Sequence, residues 1–250
     1  LCTTDDPIDD LKWHKVIRED ETFDVQVLPA WRPDKAMNLE KPGYQEYIQK
    51  LAEVSGTQIR TFADLKEAMK KRMEFFHSMG CLVSDHGLDY VMYAPASEKE
   101  VEKIFQGALA GEPVSKEDAA KFKTAFMLFI APEYARKGWV MQLHYGCKRD
   151  NNKAMYAKLG PDTGFDCISN YTPADQLADF LNAVNDTDKL PKTIIYSLNP
   201  ADDEVIGTII GCFQNSDAVG KIQQGSAWWF NDNKTGMMKQ MTSLANLGLL

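Results

Sequence analysis

Residues 141–152 have the sequence MQLHYGCKRDNN, a short apolar stretch that runs directly into polar side chains. The apolar part predicts a buried β-strand, with His144 at its end and Arg149 in the loop that follows. In parallel α/β barrels the carboxyl ends of the strands carry the catalytic side chains. The stretch therefore favours a barrel strand with a candidate site at its end. The alternative is a structural histidine, which is the commoner role of a single histidine near a strand end.

Five further apolar stretches, each followed by a polar loop, also predict strands. Together the six predicted strands cover residues 1–4, 24–30, 81–85, 139–145, 193–198 and 225–230. Helical segments separate the strands, and this alternation predicts a parallel sheet with right-handed connections. Six strands are fewer than the eight of a complete barrel, and the pattern alone leaves a barrel or an open sheet as alternatives.

Both ends of the chain predict that residues 1–250 are one domain from the middle of a longer protein. Residues 1–4 resemble the end of a strand without an initiator Met, and residues 246–250 stop where a glycine after a helix would lead into another strand. The polar residues after nearly every strand favour a (β/α)8-type barrel over an open sheet, and such a barrel would be incomplete in this chain, with its missing strands beyond both ends. Helical insertions are expected after the second and third strands.

Four helix starts are marked by a Ser or Thr three residues before an acidic residue, the pattern of a capping box. These pairs are Thr61 and Asp64, Ser97 and Glu100, Ser115 and Asp118, and Thr172 and Asp175.

Charge and cysteine content exclude several classes of protein. The formal net charge of -8 argues against a general affinity for nucleic acid or for anionic membranes. The five cysteines are odd in number and lack CxxC spacing, so the sequence predicts neither a disulfide framework nor a structural zinc site. No stretch has the length and apolarity of a membrane span or a signal peptide, and we expect a cytoplasmic protein.

Two charged residues follow predicted strands. Arg32 comes after the strand at 24–30, and its guanidinium would suit a substrate carboxylate or phosphate, with an ion pair to Asp34 as the alternative. Asp85 ends the strand at 81–85 and is a candidate general base or hydrogen-bond acceptor. Its alternative role is to cap the loop that follows.

Trp228 and Trp229 lie in the last predicted strand, where alternation would send them to opposite faces of the sheet. One of them would pack under helices. The other could cover a sugar-like ligand, although burial in the core is the commoner role of a tryptophan.

Five motifs, in the same order along the chain, resemble the uronate (glucuronate) isomerase family, a divergent branch of the amidohydrolase superfamily built on an eight-stranded barrel. They are LCTTDDP at 1–7, VLPAWRPD at 27–34, SDHG at 84–87, MQLHYG at 141–146 and WWF at 228–230. The resemblance spans the whole chain. It implies an aldose–ketose isomerase that converts D-glucuronate to D-fructuronate and D-galacturonate to D-tagaturonate.

The resemblance also implies roles for five residues of this chain. Arg32, Arg149 and Trp228 would bind the hexuronate, with the two arginines facing its carboxylate and hydroxyls. Asp85 and His144 would be the catalytic polar groups near the reacting carbons, where isomerisation needs a positioned acid and base.

The metal site implied by the resemblance does not lie in this chain. The family looks to hold a divalent metal, such as zinc, with a His-x-His pair on the first strand and an Asp on the last, and these ligands would lie outside residues 1–250. The isolated chain is therefore expected to be inactive, and its exposed sheet edges predict poor stability or association. We expect a homo-oligomer with a small-molecule hexuronate as substrate. The alternatives are a metal-dependent hydrolase of the amidohydrolase type and a non-catalytic fragment that binds sugar acids.

Overall fold

The computed structural model describes residues 1–248, over which helices and strands alternate. The strands are β1 (Val83–Gly87), β2 (Val140–Tyr145), β3 (Cys147–Lys148), β4 (Cys167–Ile168), β5 (Thr193–Ser197) and β6 (Ile222–Gln224). The helices are α1 (Lys12–Glu19), α2 (Asp34–Met37), α3 (Tyr44–Ser55), α4 (Phe62–Ser78), α5 (Glu98–Leu109), α6 (Lys116–Lys137), α7 (Lys153–Leu159), α8 (Ala174–Asn185), α9 (Asp203–Gly211) and α10 (Lys234–Asn246). Two short 3-10 helices cover Pro200–Asp202 and Trp229–Asn231.

The chain divides into two units, each with its own internal contacts. The first unit comprises residues 1–86, 92–141 and 182–192, and the second comprises residues 87–91, 142–181 and the chain from residue 193 on. The expectation that the whole chain is one domain stays a prediction.

Parallel pairing in the first unit brings the start of the chain next to β1. Cys2 pairs with Leu28, and Trp31 pairs with both Asp5 and Ser84. The predicted strands at 1–4 and 24–30 therefore appear as isolated bridges instead of continuous ladders. Pro29 is one physical reason, because it has no amide hydrogen to donate to a neighbouring strand.

Aromatic side chains form much of the interior of the first unit. Trp31 is fully buried, and its ring centroid lies 4.9 Å from that of Phe76 and 6.2 Å from that of Trp139. Phe105 of α5 stacks on Phe122 of α6 at 5.7 Å. This packing fixes the backbone at Trp31. It therefore also fixes the position from which the side chain of the next residue, Arg32, extends.

Three of the four predicted caps are confirmed. The side chains of Thr61, Ser97 and Ser115 accept hydrogen bonds from the backbone N–H groups of Asp64, Glu100 and Asp118, at the starts of α4, α5 and α6. At the fourth position α8 begins at Ala174, and the Thr172 hydroxyl donates to Asp202 Oδ1 at 2.9 Å. A hydroxyl that donates to a carboxylate can still accept a hydrogen bond, so the cap at Thr172 stays a prediction.

In the second unit β2, β5 and β6 lie side by side in that order, and β5 and β6 are parallel with Thr193 opposite Ile222. The predicted strand at 225–230 is wrong, because β6 ends at Gln224 and a 3-10 helix covers Trp229–Asn231. The extended chain is interrupted at Trp228, whose φ is 62°. The α/β fold with a parallel sheet is thus confirmed, and closure into a barrel stays a prediction.

The end of α10 agrees with the expected glycine cap, since Gly248 has a φ of +73°. The strand expected after it falls on residues 249–250, outside the described residues. Among the residues described, no helix combines the length and apolarity needed to cross a membrane.

Two of the five cysteines are expected to resist thiol reagents in the native protein. Cys81 and Cys147 are buried, and burial raises the pKa of their thiols to about 12 and about 11. Because the thiolate is the reactive form, we expect both to be alkylated at least about 100-fold more slowly in buffer than in denaturant at pH 8. Mass spectrometry of labelled peptides measures each rate, and equal rates in the two conditions would contradict the prediction.

Candidate active site

Arg32 and Asp85, both predicted from the sequence, form an ion pair in the first unit. Arg32 Nη2 lies 2.7 Å from Asp85 Oδ2, and the Thr4 hydroxyl donates to the same oxygen at 3.3 Å. Asp85 is buried, while the Arg32 side chain stays partly exposed. The pair therefore presents a guanidinium at the surface that is fixed from below by a buried carboxylate.

Backbone pairing explains why these two residues meet. The Trp31 N–H donates to the Val83 carbonyl at 3.0 Å, and the Asp85 N–H donates to the Trp31 carbonyl at 2.8 Å. This pairing aligns the chain at Trp31 with β1, so that the next residue, Arg32, lies beside Asp85.

A second carboxylate stands beside the same guanidinium. Asp34 Oδ2 lies 3.9 Å from Arg32 Nε, so the ion pair considered as an alternative for Arg32 is present together with the pair to Asp85. Asp34 Oδ1 lies 3.5 Å from Nδ1 of the fully buried His86, whose Nε2 lies 2.9 Å from the Tyr134 hydroxyl oxygen. Burial raises the pKa of Tyr134 well above its usual value, so this phenol stays protonated.

His144 lies in an aromatic cluster in the second unit. Its ring stacks on Tyr196 of β5, with centroids 4.2 Å apart and planes 12° apart, and Trp228 lies 4.9 Å from it. The Tyr196 hydroxyl donates to Gln142 Oε1 at 3.0 Å, which fixes the ring from β2. The structure therefore brings His144 and Trp228, two of the predicted site residues, into one aromatic cluster.

The backbone of Trp228 is strained. Its φ of 62° and ψ of 154° fall in a region used mainly by glycine, at a cost of about 1–3 kcal/mol for a residue with a Cβ. Contacts at 4.9 Å with His144 on one side and Trp229 on the other hold the ring in place. Such strain persists only where the surrounding structure fixes the backbone.

Arg149 has carboxylate partners within the second unit. Its Nη1 lies 3.1 Å from Asp162 Oδ1 and 3.2 Å from Asp166 Oδ2, and its guanidinium lies 5.5 Å from the centre of the Trp229 ring. It therefore joins the aromatic cluster through Trp229. Its role in substrate binding stays a prediction.

The five predicted site residues thus form two groups, one in each unit. Arg32 and Asp85 belong to the first unit, whereas His144, Arg149 and Trp228 belong to the second. That all five meet at one site stays a prediction.

Several contacting residues were not predicted from the sequence. Tyr196 lies within the predicted strand at 193–198, and His86 directly follows the predicted site residue Asp85. The sequence therefore contains a weak indication that each could lie near the site. Tyr134 lies inside a long helix and is 48 residues from its partner His86, a separation that no local pattern reveals.

Within residues 1–248, no three His, Cys, Asp or Glu side chains come together in a way that could hold a metal ion. The residues of this range therefore do not form a divalent-metal site by themselves.

The sequence matches the model of the glucuronate isomerase family over residues 1–250. It is 67% identical over 250 residues to the curated uronate isomerase of Lachnoclostridium phytofermentans, covering all of this chain and 54% of that protein. For the uronate isomerase of Lachnospira eligens the identity is 62%, with 53% of that protein covered. The chain therefore spans about half the length of the curated relatives it matches.

Solved structures show the same likeness. The crystal structure of uronate isomerase from Thermotoga maritima superposes with a TM-score of 0.91 at 34% identity, covering 100% of this chain and 53% of that one. Glucuronate isomerase from Caulobacter crescentus gives a TM-score of 0.88 at 26% identity, covering 100% of this chain and 50% of that one. Sequence and structure thus agree, and the chain belongs to the glucuronate isomerase family.

Proposed function

We propose that the complete protein containing this chain catalyses the aldose–ketose isomerisation of hexuronates. It converts D-glucuronate to D-fructuronate and D-galacturonate to D-tagaturonate, and residues 1–250 supply substrate contacts within a (β/α)8-type barrel. The observation that carries this proposal is the similarity to curated uronate isomerases over the full length of the chain, at 67% and 62% identity.

The reaction moves one hydrogen between adjacent carbons. A base removes the proton from C2 of the aldehyde form while O1 gains a proton, which gives an enediol, and then O2 loses its proton while C1 gains one. Asp85 and His144 are our candidates for these transfers, because a carboxylate can accept a proton as a general base and an imidazole can serve as either base or acid. Asp85 is held by Arg32 and Thr4, and His144 is held by Tyr196, so each has a fixed orientation.

The remaining residues bind substrate in this proposal. The guanidinium groups of Arg32 and Arg149 receive the uronate carboxylate and hydroxyls, since a planar guanidinium matches a carboxylate in a bidentate manner. Trp228 covers a face of the sugar. A divalent metal, for which zinc is our candidate, and an assembly of identical subunits also belong to the proposal for the complete protein, with the metal held by ligands outside the described residues.

The test is an NMR assay of the complete protein with glucuronate, in which we expect the signals of fructuronate to appear. The isolated chain of residues 1–250 is expected to give no turnover, and calorimetry with glucuronate shows whether it still binds a sugar acid. Hydrolysis of esters, lactones or amides without isomerisation would contradict the proposal and support the hydrolase alternative.

Replacing Arg149 with Met in the complete protein is expected to lower kcat/KM for glucuronate by about tenfold, the effect of losing about 1.4 kcal/mol of binding. The loss should be modest because Asp162 and Asp166 already neutralise this partly exposed arginine. Asp162→Asn is the matched variant, since it loosens the same ion pair without removing the guanidinium. Unchanged kinetics of the Met variant would remove Arg149 from the site.

A further inference from the structure

A series of polar contacts leads from Arg32 into the interior of the first unit. Arg32 Nη2 lies 2.7 Å from Asp85, and Arg32 Nε lies 3.9 Å from Asp34 Oδ2. The other oxygen of Asp34 lies 3.5 Å from His86 Nδ1, and His86 Nε2 lies 2.9 Å from the Tyr134 hydroxyl oxygen. The guanidinium is therefore flanked by two carboxylates, and one of them has a buried histidine behind it.

The side chains in this series become more buried towards the interior. The side chain of Arg32 is 38% exposed, that of Asp34 is 15% exposed and that of His86 is 0% exposed. Tyr134 is also fully buried, with its ring stacked on Trp139 at 6.1 Å. Close-packed interiors resist movement, so His86 and Tyr134 at the inner end of the series are held rigidly. The outer end of the series is the Arg32 guanidinium.

We propose that Asp34 is a positioning residue for substrate binding, which fixes the Arg32 guanidinium beside Asp85 in the orientation that receives the uronate carboxylate. His86 supports Asp34 from the interior. The inference rests on the proposed function, in which Arg32 binds that carboxylate. Bidentate recognition depends on the plane of the guanidinium, so an arginine whose Nη2 is bound by Asp85 and whose Nε faces the Asp34 carboxylate at 3.9 Å binds with less loss of conformational freedom.

The charge of Asp34 and its positioning role have opposite effects on the binding of an anionic substrate. A negative charge near Arg32 weakens the attraction between the guanidinium and an anionic substrate. Replacing Asp34 with Asn keeps the shape of the side chain and removes the charge. If charge alone mattered, this change would strengthen uronate binding, whereas loss of positioning weakens it.

The experiment compares Asp34→Asn with the unmodified complete protein. We expect KM for glucuronate to rise about tenfold and kcat to stay within about twofold, because a contact equally strong in the ground state and the transition state affects KM alone. Inhibition by glucose, a neutral hexose without the carboxylate, should be unchanged. Glu40→Gln is the matched control, because it breaks a pair to Lys123 of 2.7 Å with the Glu40 side chain 23% exposed, and its KM should stay unchanged.

Three results would overturn the inference. They are an unchanged or lower KM for glucuronate in the Asp34→Asn protein, an equal loss of affinity for glucose, and a crystal structure of this variant in which the Arg32 guanidinium has not moved from Asp85. If the Asn variant folds poorly, Asp34→Ser is measured in the same way.

The crystal structure keeps this test separate from the proposed function. If the unmodified complete protein does not isomerise glucuronate, the proposed function fails. The position of Arg32 in the variant then still decides whether Asp34 fixes the guanidinium.

Discussion

The Arg32→Met variant of the complete protein is expected to lose roughly 100- to 1000-fold in kcat/KM for glucuronate, which corresponds to about 3–4 kcal/mol. Two effects add up. The variant loses the guanidinium that receives the carboxylate, and it leaves Asp85 buried without its charged partner at 2.7 Å. Removing one member of a buried pair is strongly destabilising, so the melting temperature should fall as well. Steady-state kinetics and thermal unfolding measure the two effects separately.

Arg136→Met is the matched control. Arg136 also pairs with two carboxylates, Glu133 at 2.6 Å and Glu74 at 3.6 Å, but its side chain is largely exposed. Exposed ion pairs contribute little to stability, so activity and melting temperature should stay near those of the unmodified protein. Normal kinetics in the Arg32→Met protein would remove Arg32 from the site.

The Gly225→Ala variant is expected to be the second most damaging change. A Cβ at this position would lie 2.1 Å from Cε1 of Tyr196, far inside van der Waals contact. Tyr196 must therefore move, and its stack on His144 at 4.2 Å is lost with it. We expect a loss of about 1–3 kcal/mol or more in unfolding free energy, as for other overpacked sites, and a large fall in kcat/KM.

Gly211→Ala provides the control for this change. Gly211 is the last residue of α9, and a Cβ there meets no atom within 4 Å. Replacement should be neutral or stabilise by up to about 1 kcal/mol, because alanine restricts the unfolded chain. Adding Tyr196→Val to Gly225→Ala should restore folding without restoring activity. A Gly225→Ala protein with normal stability and kinetics would show that the ring of Tyr196 has no role.

Sequence patterns were most reliable where every second residue of a strand is buried. The predicted strands at 139–145 and 193–198 match β2 and β5 closely, because these segments are buried. The stretch at 225–230 is also apolar and aromatic, and it misled the prediction. Trp228 combines a positive φ with ring contacts to His144 and Trp229, and a linear sequence shows neither.

For the candidate site, motif resemblance named individual residues but not the contacts between them. It named Arg32 and Asp85, and the structure joins them in an ion pair. The contacts behind Asp34 were missed, since His86 and Tyr134 meet across 48 positions of the chain. Such long-range contacts come from the packing of whole helices against strands, and no local period or spacing encodes them.

The interleaving of the two units along the chain has a consequence for biosynthesis. The first unit needs residues 182–192, which follow part of the second, and the Met141 N–H donates to the Lys192 carbonyl at 2.8 Å. A growing polypeptide cannot complete the first unit until residue 192 has left the ribosome. Chains interrupted earlier would leave the Met141 amide unpaired and open to pairing with other chains, which favours aggregation.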